Sequence, residues 1–193
     1  MKVRWKPRTD RIGKCLCGFL TALLIPAVLA GCGDFRLRKQ PDLPVVQSVD
    51  LERYLGTWYE IARYPNSFQK GCVATTAAYS MLEDGRIRVV NECRQDSLDG
   101  PVRRAEAKAW VVDPSTKAKL KVQFFWPFRG DYWIVELGSQ YDFAVVGHPG
   151  RKYLWILNRT PEMRAGLYEE ILGRLPGLGY DPGRLVRTVQ PGP

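Results

Sequence analysis

The stretch GTWYEIARYP, residues 56–65, decides the fold because neither of its faces follows the pattern of an ordinary strand. Large aromatic side chains occur on both faces of a period-two pattern. One face also carries a carboxylate, in the set Trp58, Glu60, Ala62 and Tyr64. A half-buried strand alternates apolar and polar residues, and a fully buried strand is apolar throughout. The wall of a hollow barrel explains both faces, because inward positions that line a cavity can be aromatic, small or singly polar.

Turn signals recur at regular intervals after residue 56 and separate short apolar or alternating runs. The eight runs are 56–64, 73–82, 86–94, 102–112, 118–126, 132–138, 141–147 and 152–158. Short strands at this spacing predict an antiparallel sheet. No long connection indicates a Greek key, and eight strands is about the number that closes around one small ligand. We therefore predict an all-β fold, an eight-stranded antiparallel up-and-down β-barrel.

A helix is predicted after the last strand, at about 161–175. Thr160 is a suitable N-cap and Pro161 suits the first helical position. An apolar stripe then recurs every four residues, at Met163, Leu167, Ile171 and Leu175. This stripe predicts that the helix packs on the outside of the barrel.

Strand parity predicts which side chains line the cavity. The inward set is Trp58, Glu60, Ala62, Tyr64, Ala77, Tyr79, Leu120, Val122, Phe124, Tyr132, Ile134, Phe143, Val145, Tyr153, Trp155 and Leu157. A dry, packed core is the alternative to a cavity. Small residues among the aromatics, such as Ala62 and Ala77, favour open space.

The N-terminus has the features of a secretory signal. Residues 1–14 are basic, 16–30 are mostly apolar, and LAGC follows at 29–32. The apolar run is too short for a transmembrane helix, which needs roughly 20 residues. LAGC resembles the bacterial lipobox, which implies that residues 1–31 are a lipoprotein signal peptide and that Cys32 is acylated. An ordinary signal peptide with an incidental cysteine is the alternative. Residues 32–49 are then predicted to form the acylated N-terminus and a tether.

Removal of the signal changes the charge and the cysteine content. The signal carries five of the nine net positive charges, so the basic composition does not argue for nucleic-acid binding. Of the remaining cysteines, Cys72 and Cys93 favour a disulfide over a metal site, because His148 is the only histidine. A regular register places Cys93 opposite Thr75, so a bridge requires the 65–71 loop to fold Cys72 over. Bridged and free cysteines both remain open.

Alternating strand direction brings Gly56–Trp58, Tyr141–Asp142 and Arg159 to one end of the barrel. These residues resemble the motifs of the lipocalin family. Gly56-Thr57-Trp58 matches Gly-x-Trp of the first strand, and Arg159 matches the arginine that closes the last strand. Tyr141-Asp142-Phe143 keeps only the aspartate of the middle Thr-Asp-Tyr motif. The resemblance covers about 50–190 and implies that Gly56, Trp58, Asp142 and Arg159 are structural residues of a closed end.

Three further segments resemble one branch of the lipocalins. RYPNSFQKGC at 63–72, LKVQFFWPFRGDYWI at 120–134 and YLWILNRTP at 153–161 are similar to bacterial outer-membrane lipoproteins, plant temperature-induced lipocalins and apolipoprotein D. This resemblance implies a membrane-anchored protein that stores or transports fatty acids or lysophospholipids for membrane maintenance, and it allows a homodimer. In related Gram-negative bacteria, an aspartate directly after the acylated cysteine retains a lipoprotein at the inner membrane. Here Gly33 occupies that position and Asp34 comes next, so the resemblance favours the outer membrane. No cofactor or metal is expected. The alternatives are a lipocalin-like isomerase and a haem or pigment carrier.

Overall fold

The computed structural model describes residues 41–192, which form one closed antiparallel barrel. Each strand pairs with its neighbour in sequence, and β1 pairs with both β2 and β8, so the sheet closes. The strands are β1 Gly56–Arg63, β2 Cys72–Met81, β3 Ile87–Gln95, β4 Val102–Val111, β5 Lys119–Phe125, β6 Phe128–Leu137, β7 Phe143–Gly147 and β8 Leu154–Asn158. A short ninth strand, β9 Val186–Arg187, adds to the edge of β1. The predicted fold class is confirmed.

A β-bulge in β1 explains why the opening stretch has two mixed faces. Glu60 lies opposite Leu157, but Ala62 lies opposite Ile156, so Ile61 is an extra residue on the β1 side. The bulge reverses the parity of the strand. Glu60 therefore faces inward, whereas Ala62 and Tyr64 belong to the hydrophobic cluster under the helix. The prediction that Ala62 and Tyr64 line the cavity is wrong for this reason.

A second bulge, in β6, reverses the predicted parity of β7. Ile134 lies opposite Val146, but Glu136 lies opposite Val145. Val146 consequently joins the interior cluster, and Val145 packs in the outer cluster with Phe143 beside it. Phe143 and Val145 do not line the cavity, and that prediction is wrong.

The helix on the outside of the barrel, α2, spans Ala165–Arg174 and starts four residues later than predicted. Thr160 does not cap it, because the Thr160 hydroxyl donates to the Glu162 carbonyl, 2.7 Å away. The side-chain amide of Asn158 donates to the same carbonyl at 2.8 Å, so this oxygen already has two side-chain partners. Packing of the apolar stripe outside the barrel is confirmed, since its four members are all buried there: Met163, Leu167, Ile171 and Leu175.

Residues 43–49 pack against the barrel and are not a tether. Leu43 and Val49 are buried. The Val46 amide donates to the Ile134 carbonyl at 3.1 Å, and the Val49 amide donates to the Thr116 carbonyl at 2.8 Å. The tether prediction is therefore wrong for this part of 32–49. The signal peptide at 1–31 and the acylation of Cys32 lie outside the described residues.

A short helix, α1 Leu51–Tyr54, follows this segment and covers the lower end of the barrel. Asp50 is its N-cap, because its side chain accepts hydrogen bonds from the amides of Glu52 and Arg53. The Asp50 backbone amide in turn donates to the Tyr141 hydroxyl oxygen at 2.8 Å, which fixes the helix to the β6–β7 turn. Such a short helix has no apolar period that a sequence would reveal.

The closed end is assembled around Arg159, as the sequence predicted. The Arg159 guanidinium carbon lies 3.8 Å from the centre of the Trp58 ring. The same side chain donates to the carbonyls of Arg53, Thr57 and Tyr141 at 2.7, 3.0 and 3.1 Å. Asp142 contributes its backbone carbonyl, which accepts from the Arg159 amide at 2.8 Å. Convergence of the three segments is confirmed.

Candidate functional site

The barrel encloses a cavity of about 1110 Å³ that opens at the end opposite Arg159. Its volume is slightly above the roughly 300–1,000 Å³ range of small-molecule sites. Inward positions supplied by strand parity form much of the wall. The following predicted residues line it: Glu60, Ala77, Tyr79, Leu120, Val122, Phe124, Tyr132, Ile134, Tyr153, Trp155 and Leu157.

Trp58 was predicted to line the cavity but lies beneath its floor. It is fully buried, and its ring centre is 5.0 Å from that of Tyr54. Tyr54, on α1, lies between Trp58 and the cavity and supplies the floor together with Leu51. Sequence reasoning missed this floor, because α1 precedes the first strand of the barrel.

Further lining residues come from β3 and from the upper turn. On β3, the parity that puts Ala77 and Tyr79 inside also puts Ile87, Val89 and Asn91 inside. That signal was present in the sequence, since the turn between β2 and β3 fixes the register and Gly85 adopts the required positive φ of 77°. Phe68 and Gln69 line the upper wall from a short 3-10 turn, which no periodicity indicates.

Three tyrosine hydroxyls meet at the bottom of the cavity. The Tyr132 hydroxyl lies 2.7 Å from that of Tyr54 and 2.9 Å from that of Tyr79. Burial raises the pKa of Tyr79 to about 12 and raises the pKa of Tyr54 and Tyr132 well above its usual value. The cluster is therefore neutral at physiological pH and forms a polar but uncharged patch in an apolar cavity.

Glu60 is the only carboxylate on the inner face of β1, and it is held in a buried network. Its Oε1 accepts from Arg63 and from the Thr188 hydroxyl, each at 2.5 Å. Its Oε2 accepts from the side-chain amide nitrogen of Gln69 at 2.6 Å. The side-chain oxygen of Gln69 in turn accepts from the Trp155 indole at 2.9 Å. The network joins the wall of the cavity to the upper turn. Because both Glu60 oxygens have partners, this group acts as structural support and is not a free acid or base.

The upper wall is tied by a disulfide between Cys72 and Cys93, whose Cα atoms are 5.4 Å apart. A bulge in β2 makes it possible. Val73 lies opposite Arg94, but Thr76 lies opposite Glu92, and Ala74 adopts a positive φ of 47°. The extra residue shifts the register that would have placed Cys93 opposite Thr75. The predicted disulfide is confirmed, and the bulge, not the loop, brings the two cysteines together.

His148 lies at the mouth, where its ring packs on Tyr153 with centres 5.8 Å apart. Burial lowers the pKa of His148, and its Nδ1 accepts a bond of 2.9 Å from the Gly150 amide. Both features favour a neutral ring that stabilises the loop. Within residues 41–192, no cluster of three or more histidine, cysteine or acidic side chains could hold a metal ion. None of the helices in this range is both long and apolar enough to cross a membrane.

This arrangement defines a class of protein. A closed antiparallel barrel holds an apolar cavity that is open at one end, and a cation–π pair seals the other end. The profile of the lipocalin-like domain matches residues 49–190, and the chain belongs to the lipocalin family.

Several relatives align over most of the chain. The outer membrane lipoprotein Blc of Escherichia coli is 40% identical over 175 residues, covering 88% of this chain and 98% of that protein. Temperature-induced lipocalin-1 of Arabidopsis thaliana is 38% identical over 163 residues, covering 80% and 86%. Apolipoprotein D of Rattus norvegicus is 37% identical over 157 residues, covering 73% and 80%. The resemblance found in the sequence is confirmed.

Solved structures agree with this fold. Lobster apocrustacyanin A1 superposes with a TM-score of 0.60 at 16% identity, covering 80% of this chain and 94% of that one. Insecticyanin of Manduca sexta gives a TM-score of 0.62 at 19% identity, covering 77% and 84%. At these identities the likeness concerns the fold alone.

Proposed function

We propose that this lipocalin binds a single-chain lipid, a fatty acid or a lysophospholipid, in the cavity of the barrel. The observation that carries this proposal is the cavity of about 1110 Å³ with a mainly apolar wall. An acyl chain gains about 0.8 kcal/mol for each methylene group that it buries. The apolar wall can bury the methylene groups of such a chain from Trp155, near the mouth, down to the three tyrosines at the bottom of the cavity.

The head group is expected to remain at the mouth. Deeper polar groups are already occupied, since both oxygens of Glu60 have partners and the three tyrosine hydroxyls bond to each other. Cationic side chains lie around the opening, where Arg103, Arg129 and Lys152 line it beside Asp131. A carboxylate or phosphate left at this opening keeps its hydration and faces nearby positive charge.

We further propose that the protein stores or transports this lipid for membrane maintenance at the outer membrane. The support is the LAGC pattern and the outer membrane lipoprotein relatives. In this proposal, Cys32 carries a diacylglycerol thioether and an amide-linked palmitate. Two or more chains give stable attachment, whereas one chain would give only marginal binding. A homodimer is compatible with this role.

A binding role, and not catalysis, is the function that the site supports. The described part of the chain brings no serine, histidine and aspartate together in the cavity, and Glu60 is neutralised by Arg63 at its wall. A general acid or base needs to be free to exchange a proton with its substrate. We therefore expect the lipid to leave unchanged.

The proposal is tested by titrating fatty acids from octanoate to stearate, and the matching lysophospholipids, against tryptophan fluorescence. Trp155 lines the cavity and reports the chain. Affinity should rise by about fourfold for each methylene until the cavity is full. Affinity that did not depend on chain length would contradict an acyl site.

A matched pair of variants places the site inside the barrel. Val89 lines the cavity, whereas Val90, its neighbour on β3, lies on the outer surface of the wall. Val89→Trp fills the cavity and should weaken binding of long chains by about tenfold or more. Val90→Trp adds the same side chain outside and should bind normally. Equal binding by both variants would place the lipid elsewhere.

A further inference from the structure

An exposed group of aromatic residues lies at the tip of the β5–β6 hairpin. We define this aromatic tip as residues 124–128. Its exposed fractions are 43% for Phe124, 66% for Phe125, 81% for Trp126 and 67% for Phe128. Single exposed apolar residues are common on proteins, but a contiguous group of large ones marks a contact site. Phe125 and Phe128 are paired across the hairpin, with ring centres 5.3 Å apart, so the group forms one surface.

The aromatic tip is part of the mouth of the cavity. Phe124, Phe125 and Phe128 line the opening, and Arg129 follows directly. Pairing of β4 with β5 covers only Lys108–Val111 on the β4 side, so the upper half of β4 does not bond to the hairpin. Arg103 and Ala105, in that upper half, also line the cavity. The mouth therefore extends sideways, between β4 and the aromatic tip.

The N-terminal segment reaches the barrel at the same end. Leu43 packs beside Gly147 and Tyr180. The Tyr180 hydroxyl bonds to both the amide and the carbonyl of His148, each at 3.0 Å, and His148 lines the mouth. From Leu43 the chain descends the outer wall to the closed end, where the Val49 amide bonds to Thr116. Leu43 thus lies beside the residue that precedes His148, on the side of the mouth formed by the β7–β8 turn.

Sequence distance limits how far the mouth can lie from an anchor at Cys32. Residue 41 lies nine residue steps after Cys32 along the chain. Fully extended, nine residues span about 30 Å, and as a flexible chain their root-mean-square reach is about 15–18 Å. A lipid anchor at Cys32 would therefore keep residue 41 within about 30 Å of the bilayer, a distance that allows the mouth to face the membrane.

Charge at this end suits an anionic surface. Lys70, Arg103, Arg129 and Lys152 all lie on the loops or strand ends around the mouth. Within residues 41–192, none of these four side chains lies within 4.0 Å of a carboxylate. Aromatic rings prefer the membrane–water interface, and basic residues near an anionic leaflet are attracted to it.

We propose that the aromatic tip inserts into the interface of the anchoring membrane, so that the mouth of the cavity opens onto an anionic phospholipid surface. A lipid then passes between bilayer and cavity along the aromatic tip and the gap beside β4, without full exposure of its chain to water. The nature of this cargo rests on the proposed function. The anchor at Cys32 is also part of the proposed function, whereas the choice of the aromatic tip as the inserted surface follows from the exposed aromatics and the basic residues around the mouth.

The insertion is tested with the full chain, purified from membranes and reconstituted into phosphatidylethanolamine–phosphatidylglycerol vesicles. Lipids brominated on their acyl chains quench only tryptophans that enter the bilayer. The difference between the wild type and Trp126→Phe isolates Trp126, which is not part of the cavity wall. Trp126 should be quenched by brominated lipid and protected from iodide in the water. Trp133, on the outer wall beside the helix cluster, is the matched control and should show no bromine quenching.

Two outcomes would overturn the proposal. Trp126 that stays accessible to iodide and unaffected by brominated lipid would mean that the mouth faces water. Trp126 that is shielded from both quenchers would mean that a second copy of the chain covers the aromatic tip.

A kinetic variant separates docking from lipid binding. Trp126→Gln, whose new side chain is uncharged, should leave the affinity for fatty acid in solution unchanged but slow the uptake of fatty acid from vesicles by about tenfold, because an amide lacks the preference of the indole for the membrane interface. Uptake at the wild-type rate would overturn the proposal. A wild-type protein that bound no fatty acid in solution would contradict the proposed function, and the bromine quenching of Trp126 would still decide the insertion.

Discussion

Removal of the Arg159 side chain should destabilise the barrel without closing its cavity. The guanidinium packs 3.8 Å from the centre of the Trp58 ring and donates to four backbone carbonyls at 2.7–3.3 Å. A cation–π contact contributes about 0.5–2 kcal/mol. A hydrogen bond from a charged group contributes about 1.5–3 kcal/mol, but exposed carbonyls recover water when the donor is lost. Of these four bonds, those to Tyr54 and Tyr141 are partly buried and the other two are exposed.

The sum for Arg159→Ala is therefore about 2–3 kcal/mol of unfolding free energy, including the lost packing of the side-chain stem. For a domain of this size, that corresponds to a fall of about 5–10 °C in Tm. Urea unfolding followed by circular dichroism measures the free energy, and a thermal scan gives Tm. Fatty-acid affinity of the folded variant should be unchanged, since Arg159 lies at the end opposite the mouth.

Two control variants make this prediction specific. Arg159→Lys keeps the charge but replaces the planar fork by a single ammonium group, and it should recover less than half of the lost stability. Arg53→Ala removes a neighbouring arginine that stacks on Tyr141 at 4.1 Å and should cost about 1 kcal/mol or less at this exposed site. If Arg159→Lys were as stable as the wild type, the planar guanidinium would not be needed and this prediction would be refuted. Loss of lipid affinity in folded Arg159→Ala would show that Arg159 lies at the ligand entrance and that the open and closed ends are assigned the wrong way round.

Two further predictions concern the mouth and the floor. Replacing both cysteines of the Cys72–Cys93 bridge by alanine should lower the unfolding free energy by about 3 kcal/mol, because the bridge closes a loop with a sequence separation of 21 residues; denaturant curves with and without reductant check this, and an unchanged midpoint would contradict it. Tyr79 has its pKa raised from 10.0 to about 12 in the folded protein, so its contribution to stability is complete below pH 10 and is lost as pH rises towards 12. Unfolding measured across that range should show a greater loss for the wild type than for Tyr79→Phe, and equal pH dependence of the two proteins would contradict the burial of this hydroxyl.

The strand order and the closed end could be predicted from the sequence because their signals are local and repeated. Turn residues mark both ends of each strand, and counting strands then brings Trp58 and Arg159 together. The outward position of Ala62 could not be predicted in this way. A bulge inserts one residue, Ile61, into a strand that is apolar on both faces, so the pattern looks the same with or without it.

Other differences arose where tertiary contacts override local preference. Thr160 and Pro161 form a good helix start by themselves, but the carbonyl of Glu162 bonds to the side chains of Asn158 and Thr160, and the helix begins at Ala165. Proline-containing residues 41–49 suggested a tether, yet Leu43 and Val49 find apolar partners on the barrel. Both cases need knowledge of the neighbouring surface, which no single segment of sequence contains.

The contacts of Arg159 also determine which neighbouring positions are free to vary. Its partners at Arg53, Thr57, Tyr141 and Asp142 are backbone carbonyl oxygens, which every amino acid carries. These hydrogen bonds of Arg159 therefore do not depend on the side chains of those residues. The middle motif can read Tyr-Asp-Phe in place of Thr-Asp-Tyr without the loss of any of them. Tyr141 makes use of that freedom, since its hydroxyl bonds to the amide of Asp50 and positions the helix under the floor. Tyr141 therefore departs from the threonine of the family motif but adds a second contact, through its hydroxyl, that stabilises the same end of the barrel.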